Sequence, residues 1–471
     1  MSVSQGHPQR WLILGVICLA QLTVLLDNTV LNVAIPSLTR ELHAATSDIQ
    51  WMINAYSLVQ SGLLLTAGSA ADRYGRKKML LAGLALFGIG SVAAGLAGST
   101  GQLIAARAGM GIGGALLVTT TLAVAMQIFA PEEQPKAIGI WSAVNALGFA
   151  TGPLIGGFLL NHFWWGAIFL INLPVVALGL VAVAALVPES KAAPSRRTPS
   201  GPPGRGDRPD LLGALLSTVG MAALVFAIIS GPEHGWTSPR VLGTAAVAVG
   251  VLGLFAYWES RVEEPMLDLH FFRDRRFTGA VAGAVLITFG MGGALFLLTQ
   301  HLQSVLGYGP LEAGLRTAPL ALAVVVLNFS GLSAKWVQKL GTPVSIALGM
   351  VLMSSGLVSI ALASGGYAGA LIGLLLIGVG CALANPAMAH AIMSAIPPER
   401  AGVGAGINGT LAEFGNGLGV AVLGAVLSSS VASGESLSAG LGAGQLVGAV
   451  AVLVGGLVAA GLLRRAERMA A

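Results

Sequence analysis

Two carboxylates, Asp27 and Glu413, stand well inside long apolar runs at roughly 11–36 and 402–427. A charged Asp at the centre of a membrane helix costs about 2.5–3.5 kcal/mol on the insertion scale, so such a group is kept where it is paired or used. A carboxyl group there can take up and release a proton, and that exchange can be coupled to a change of shape. Arg107 is the basic counterpart, inside the run 102–127 and about one and a half turns from Gly101. Asp27 lies beyond the middle of its own run, toward the same side. The plainer alternatives are carboxyls that only tie helices together and an arginine that reaches back to the interface. Helical spacing puts Asp27, Leu31 and Ala34 on one stripe, with Asn28 and Asn32 on its neighbour. A polar face on an otherwise apolar helix suits the wall of a cavity. Asn54, Asn145 and Glu413 join Asn28 and Asn32 as candidate cavity residues. Glu413 has no basic residue in its own run and is placed to meet a cationic substrate. Proton coupling is expected from Asp27, Arg107 and Glu413.

The elements that must carry these residues are membrane helices. Of 471 residues, 55% are hydrophobic and only 10% are charged, against about 25% charge in soluble domains. Mean hydropathy is +0.81. The 66 glycines would weaken soluble helices but let membrane helices approach closely. Cys18 and Cys381 both lie in apolar runs, so no disulfide framework is implied. The net charge of +5 sits in loops, which speaks for topology rather than nucleic acid. The first apolar run is longer than the apolar core of a signal peptide and shows no evident cleavage site.

Runs of about 20 apolar residues predict fourteen spans. Six lie near 11–36, 49–71, 79–98, 102–127, 136–160 and 164–187, two near 211–230 and 240–258. The last six lie near 278–303, 312–333, 343–363, 368–395, 402–427 and 443–463. With the N-terminus inside, 21 of the 25 Lys and Arg residues fall in cytoplasmic segments. That bias sets both termini in the cytoplasm of a cell whose inner, cytoplasmic membrane the chain crosses. The expected divisions are an N-terminal six-helix bundle over 1–187, a disordered Pro-rich linker over 188–210 and an inserted hairpin over 211–258. A cytoplasmic loop over 259–277, part of it lying in the interface, leads to a C-terminal six-helix bundle over 278–471. Weak internal echoes support two parallel halves. Gly331-Leu-Ser-Ala-Lys echoes Gly68-Ser-Ala-Ala-Asp, and the series Pro131, Gly139, Asn145, Gly148 echoes Pro398, Gly404, Asn408, Gly415.

Residues 68–78 read Gly-Ser-Ala-Ala-Asp-Arg-Tyr-Gly-Arg-Lys-Lys. The spacing of Gly68, Asp72, Arg73, Gly75 and Arg76 resembles the loop between the second and third spans of major facilitator superfamily transporters. In that family the loop works as a conformational latch; on charge alone it is a cationic topology anchor. Leu26-Asp-Asn-Thr-Val-Leu-Asn-Val-Ala-Ile-Pro resembles the first-span signature of fourteen-span drug:proton antiporters. Arg107-Ala-Gly-Met-Gly-Ile-Gly-Gly-Ala resembles the superfamily's buried-arginine motif, with Met110 where a glutamine is common. Gly148, Gly152, Pro153, Gly156 and Gly157 resemble the fifth-span motif that marks exporters. Phe169-Leu-Ile-Asn-Leu-Pro resembles the sixth-span entry of the same group, without its preceding arginine.

The resemblance implies an all-α major facilitator fold with two six-helix bundles, an inserted hairpin and 14 spans. It also implies proton-driven export, by alternating access, of small amphipathic compounds, cationic ones included, by a protein working as a monomer. A dedicated exporter of one metabolite made by the same cell is the second reading. A channel or receptor leaves these transporter motifs unexplained. The chain has no Gly-x-x-x-x-Gly-Lys phosphate loop, His-Glu-x-x-His pair or nucleophile elbow. The expectation is therefore no enzyme activity, metal or cofactor, with the proton motive force as energy source.

Overall fold

The computed structural model describes residues 8–130, 133–189, 210–262, 269–363, 366–394 and 401–470. Its regular elements are helices, as a chain in hydrocarbon requires, because each helix satisfies its own backbone polar groups. In order these are α1 (Arg10–Glu41), α2 (Thr46–Tyr74), α3 (Arg76–Gly95), α4 (Thr100–Ile128) and α5 (Gln134–His162). Then come α6 (Ala167–Leu170), α7 (Asn172–Leu186), α8 (Leu211–His234), α9 (Pro239–Glu259) and α10 (Arg275–Gln300). The remainder are α11 (Pro310–Phe329), α12 (Leu332–Leu340), α13 (Thr342–Ala361), α14 (Tyr367–Ser394), α15 (Ala401–Ala432) and α16 (Leu437–Ala470).

Among the described residues, twelve helical segments are long and apolar enough to cross a membrane. One of them joins α6 to α7, and another carries α10 on through the π-helical turn His301–Val305. Helices α2 and α5, each of 29 residues, are outside that set. In α2 the reason is visible: Gln50, Asn54, Ser57, Gln60 and Ser61 lower its hydropathy, yet all five are buried. They face other helices and not lipid.

Helix ends follow local chemistry. Asp48 accepts a hydrogen bond from the Ala45 N–H at 3.0 Å and starts α2. Ser99, Asp210 and Ser238 cap α4, α8 and α9 by accepting from a backbone N–H three residues on. Gly75 turns the chain between α2 and α3 at φ +113°, a conformation that favours glycine. The run 312–333, expected as one span, divides at Gly331, where φ is +71°. The chain then re-enters α12, whose Lys335 and Lys339 require a polar surrounding.

Helix α1 packs on α4, α5 and α7, while α3 packs on α4 and α7. Their buried core includes Ile17, Leu31, Tyr56, Phe87 and Phe169. Further along, α10 packs on α14, α15 and α16, and α13 on α14 and α16, around Phe277, Ile346, Met350, Leu374 and Cys381. Two seams join these groups, α5 against α11 and α2 against α15. Helix α8 pairs with α9 and also lies against both α2 and α15. Its small core joins Met221, Val225 and Ile229 to Leu58 and Ala421. Helix α9 turns Leu242, Val247, Val249 and Leu254 outward, as a lipid-facing helix does.

Most of the linker expected at 188–210 lies outside the described residues, as do positions 263–268 of the loop before α10. The rest of that loop forms a short turn over Leu269–Arg273. There Phe271 and Phe272 pack on Phe277, with ring centroids 5.6 Å and 5.1 Å away.

Candidate functional site

The arginine and the first carboxylate meet. Arg107 Nη1 forms an ion pair with Asp27 Oδ2, and both side chains are 1% exposed. Two further contacts hold the guanidinium. Its Nε donates to the Met52 carbonyl at 3.0 Å, and its plane lies 4.5 Å from the centroid of the Tyr56 ring. Met52 and Tyr56 are one helical turn apart on α2, so a single face of that helix receives the arginine. Asn172, at the start of α7, lies beside Asp27 and donates to Ser91 Oγ at 3.2 Å. The second Asp27 oxygen makes no hydrogen bond. An arginine reaching out to the interface is ruled out by its burial. Tyr56 was not legible as part of this site, although its i+4 spacing from Met52 is in the sequence.

The glycines of α5 do two jobs. Gly148, Gly152 and Gly156 lie against Leu25, Thr29 and Val30 of α1. A Cβ on Gly156 would come 2.9 Å from the Val30 side chain, and one on Gly152 would collide with Thr29 Oγ1. Gly157 faces the other way, where a Cβ would stand 2.6 Å from the Leu311 Cα. Lower down, the Pro153 carbonyl abuts Gly314. Helix α5 is thus a smooth plate between α1 and α11, in van der Waals contact with both. Small residues are what allow backbones to come this close.

A cleft opens beside that plate. Thr29, Asn32 and Val33 of α1 and Pro153 of α5 line one side. Leu295 and Thr299 of α10, with Thr317, Leu320 and Ala321 of α11, line the other. Its lining of hydroxyls and one amide among apolar side chains has the mixed polarity of an amphipathic ligand site, and in this closed state its volume is about 20 Å³. Asn32 is therefore a cavity residue, and its Nδ2 also donates to the Asn28 carbonyl at 3.2 Å. Thr299 and Thr317 were not singled out from sequence, where a lone threonine in an apolar run carries no signal. Asn54 and Glu413 sit elsewhere, on the α2–α15 seam, where Asn54 Oδ1 faces Gly417. The Asn145 side chain lies outside the described residues.

These observations describe helices from both parts of the chain meeting around a buried ion pair and a central cleft. The family model for the Major Facilitator Superfamily matches residues 17–420. The chain belongs to the major facilitator superfamily. It is 38% identical over 410 residues to the multidrug resistance protein Stp of Mycobacterium tuberculosis (strain CDC 1551 / Oshkosh), covering 86% of this chain and 73% of that one. It is 34% identical to the tetracenomycin C resistance and export protein of Streptomyces glaucescens, covering 91% and 77%. A crystal structure of the peptide transporter POT in complex with sulfate shares the fold at a TM-score of 0.70 and 17% identity, covering 98% and 96%.

The loop with the superfamily spacing is engaged with its neighbours. Arg76 donates to the Ala123 carbonyl of α4 at 3.2 Å, and Lys77 Nζ to the Ala184 carbonyl of α7 at 2.7 Å. Glu189 packs against Gly75, and Arg73 lies 5.4 Å from the Tyr74 ring centroid. Gly68 faces Thr119 of α4. The side chain of Asp72 lies outside the described residues. At the opposite ends of the helices, Arg316 pairs with Glu312 at 2.7 Å. Its guanidinium lies 4.0 Å and 4.6 Å from the ring centroids of Tyr308 and Tyr367. Its aromatic partners lie 8 residues back and 51 ahead, too far apart for local spacing to reveal.

Proposed function

We propose that this protein exports small amphipathic drugs or toxic metabolites across the cytoplasmic membrane in exchange for protons. The single observation that carries this reading is the buried Asp27–Arg107 pair, whose Asp27 stands on the same α1 helix as the cleft residues Thr29 and Asn32. A charge pair in hydrocarbon is stable only while both partners remain in place. Protonation of Asp27 would release Arg107, and the α1 wall of the cleft would feel the change. Resistance and export functions named for the relatives support the drug-exporter part. Glu413 is the second proposed coupling carboxylate, and the loop 68–78 the proposed latch.

The proposed topology counts α2 and α5 as spans, which makes fourteen with α6–α7 taken as one. The α8–α9 hairpin is inserted between two six-helix halves, both termini are cytoplasmic, and one copy suffices. In that orientation the α5–α11 seam lies on the outer side, together with the bond from Gln303 Nε2 to the Val33 carbonyl at 2.9 Å. The two halves are then closed toward the outside, one end state of a rocking cycle.

Purified protein in ATP-free liposomes should accumulate a substrate dye under an imposed pH gradient. Flux that needs ATP and ignores the gradient would sink the proposal. A second reading, export of one compound made by the same cell, draws on the relative named for tetracenomycin C. Testing a panel of unrelated dyes and antibiotics separates the two, because a dedicated exporter moves one member only.

A further inference from the structure

Three side-chain oxygens come together where α2 crosses α15. They are Asn54 Oδ1, Ser57 Oγ and Glu413 Oε2, each buried and without a hydrogen bond. Asn54 is 0% exposed and Ser57 1%. Asn54 and Ser57 share one face of α2 at i, i+3 spacing, and Glu413 and Gly417 share one face of α15 at i, i+4. Gly417 lets the helices close. A Cβ there would stand 2.5 Å from Asn54 Oδ1 and 3.7 Å from the Ser57 Cβ. Ser57 lies beside Glu413.

The nearby amide donors are already engaged, and the Ser57 hydroxyl faces Glu413. Asn54 Nδ2 donates to the Gln50 carbonyl at 2.9 Å, and Gln50 Nε2 donates to the carbonyls of Val420 and Ala421 at 3.1 Å and 2.9 Å. What remains facing the seam is an amide oxygen, a hydroxyl and a carboxylate. Unpaired oxygens in an apolar surrounding carry a penalty that a ligand of opposite polarity removes. Hard cations are the ligands that take carboxylate, carbonyl and hydroxyl oxygens together. The ionisable groups near enough to act on this seam are Tyr56 of α2 and Arg107 of α4.

The seam is also walled. Met221 and Val225 of α8 pack on Leu58, with Phe414 and Ala421 on the α15 side. Gly62 of α2 is pressed against Thr218 of α8. The cleft between α1, α5, α10 and α11 shares none of these residues.

We propose that the α2–α15 seam binds a small monovalent cation, hydronium or sodium, through Asn54, Ser57 and Glu413, with α8 as its wall against lipid. This deepens the export reading and rests on it: drug and coupling ion occupy separate sites, the drug in the cleft and the ion in the seam.

The test uses full-length protein in liposomes and a dye that the wild type exports. One arm imposes a pH gradient in sodium-free choline buffer, and the other imposes a sodium gradient at equal pH. In the arm that drives the wild type, Ser57→Ala and Asn54→Ala should raise the cation concentration for half-maximal export about tenfold, as loss of one charge-assisted contact does. The KM for the dye should stay within about twofold. Ser57→Thr, which keeps the oxygen, should restore the cation response and guards against a folding defect. Thr299→Ala in the cleft should do the reverse, changing KM and leaving the cation response alone. Folded seam variants with an unchanged cation response, or with a changed dye KM instead, would overturn the seam site while leaving the exporter intact. Wild type driven by sodium alone would overturn the proton exchange and keep the seam site, and wild type driven by neither gradient would overturn the export reading and the seam site with it.

Discussion

Asp27 and Arg107 are a pair in which neither member is tolerable alone. Each is sealed from water, and the arginine is further fixed by the Met52 carbonyl and the Tyr56 ring. Removing one partner of a buried pair costs about 3–5 kcal/mol, chiefly because the other charge is left uncompensated. Asp27→Asn should therefore abolish gradient-driven export and lower the melting temperature in detergent. Adding Arg107→Leu to that variant should recover much of the lost stability and none of the transport. Thermal unfolding read beside dye flux checks this. A single Asp27→Asn variant that exports at the wild-type rate would remove Asp27 from the mechanism. The seam oxygens are a different case. Asn54 and Ser57 are neutral, so replacing them leaves no stranded charge, and their variants should fold.

At the scale of the element, α5 and α2 show how one helix can serve two neighbours. The i, i+4, i+8 glycines of α5 admit α1, and Gly157, one residue past that stripe, admits α11. Overpacking such a contact costs about 1–3 kcal/mol, and here the cost falls on helices that must move. Gly152→Val, whose β-carbon would meet Thr29 Oγ1, should slow export about tenfold or more with the protein still inserted. Thr29→Ala in the same chain should recover part of the rate, which a dye-efflux time course measures. If it recovers none, contact with α1 is not the cause. Helix α2 works through polarity instead. Tyr56 and Gln60 look toward α4, whereas Gln50 and Asn54 look toward α15.

For the whole molecule, the question is whether the two seams open. The α5–α11 seam and the Gln303–Val33 bond hold one end of the molecule shut. A cycle that rocks the halves must break them once per turnover. The pair Val33→Cys and Gln303→Cys puts thiols on the two sides of that closed end at positions bonded in the native chain, and the native Cys18 and Cys381 are free and buried. Oxidation of the double variant should stop export, and reduction should restore it. Export that continues with the cross-link fully formed would mean that this end stays closed throughout transport. The α8 helix touches both halves, so it either rides with one or yields between them. Its contacts with α2 and α15 include the apolar cluster of Met221, Val225 and Ile229 with Leu58 and Ala421, and apolar contacts slide more readily than hydrogen-bonded ones.

Membrane insertion, helical class and the identity of the charged residues followed from sequence alone, because hydrocarbon penalises exposed backbone and charge residue by residue. The Asp27–Arg107 pair was within reach because both charges stand at like depth and the family resemblance sets the first and fourth spans beside one cavity. The α5 glycine stripe was legible as a groove, but that Gly157 faces α11 while Gly152 faces α1 was not. The cleft threonines, the Tyr56 shelf and the division at Gly331 likewise emerged only in three dimensions. Asn54 and Glu413, grouped by sequence with the cavity residues, stand instead at the α2–α15 seam. The rotation of each helix about its axis decides such matters, and it is set by packing among all the helices at once. Periodicity fixes which side chains share a stripe; only the assembled bundle decides what that stripe faces.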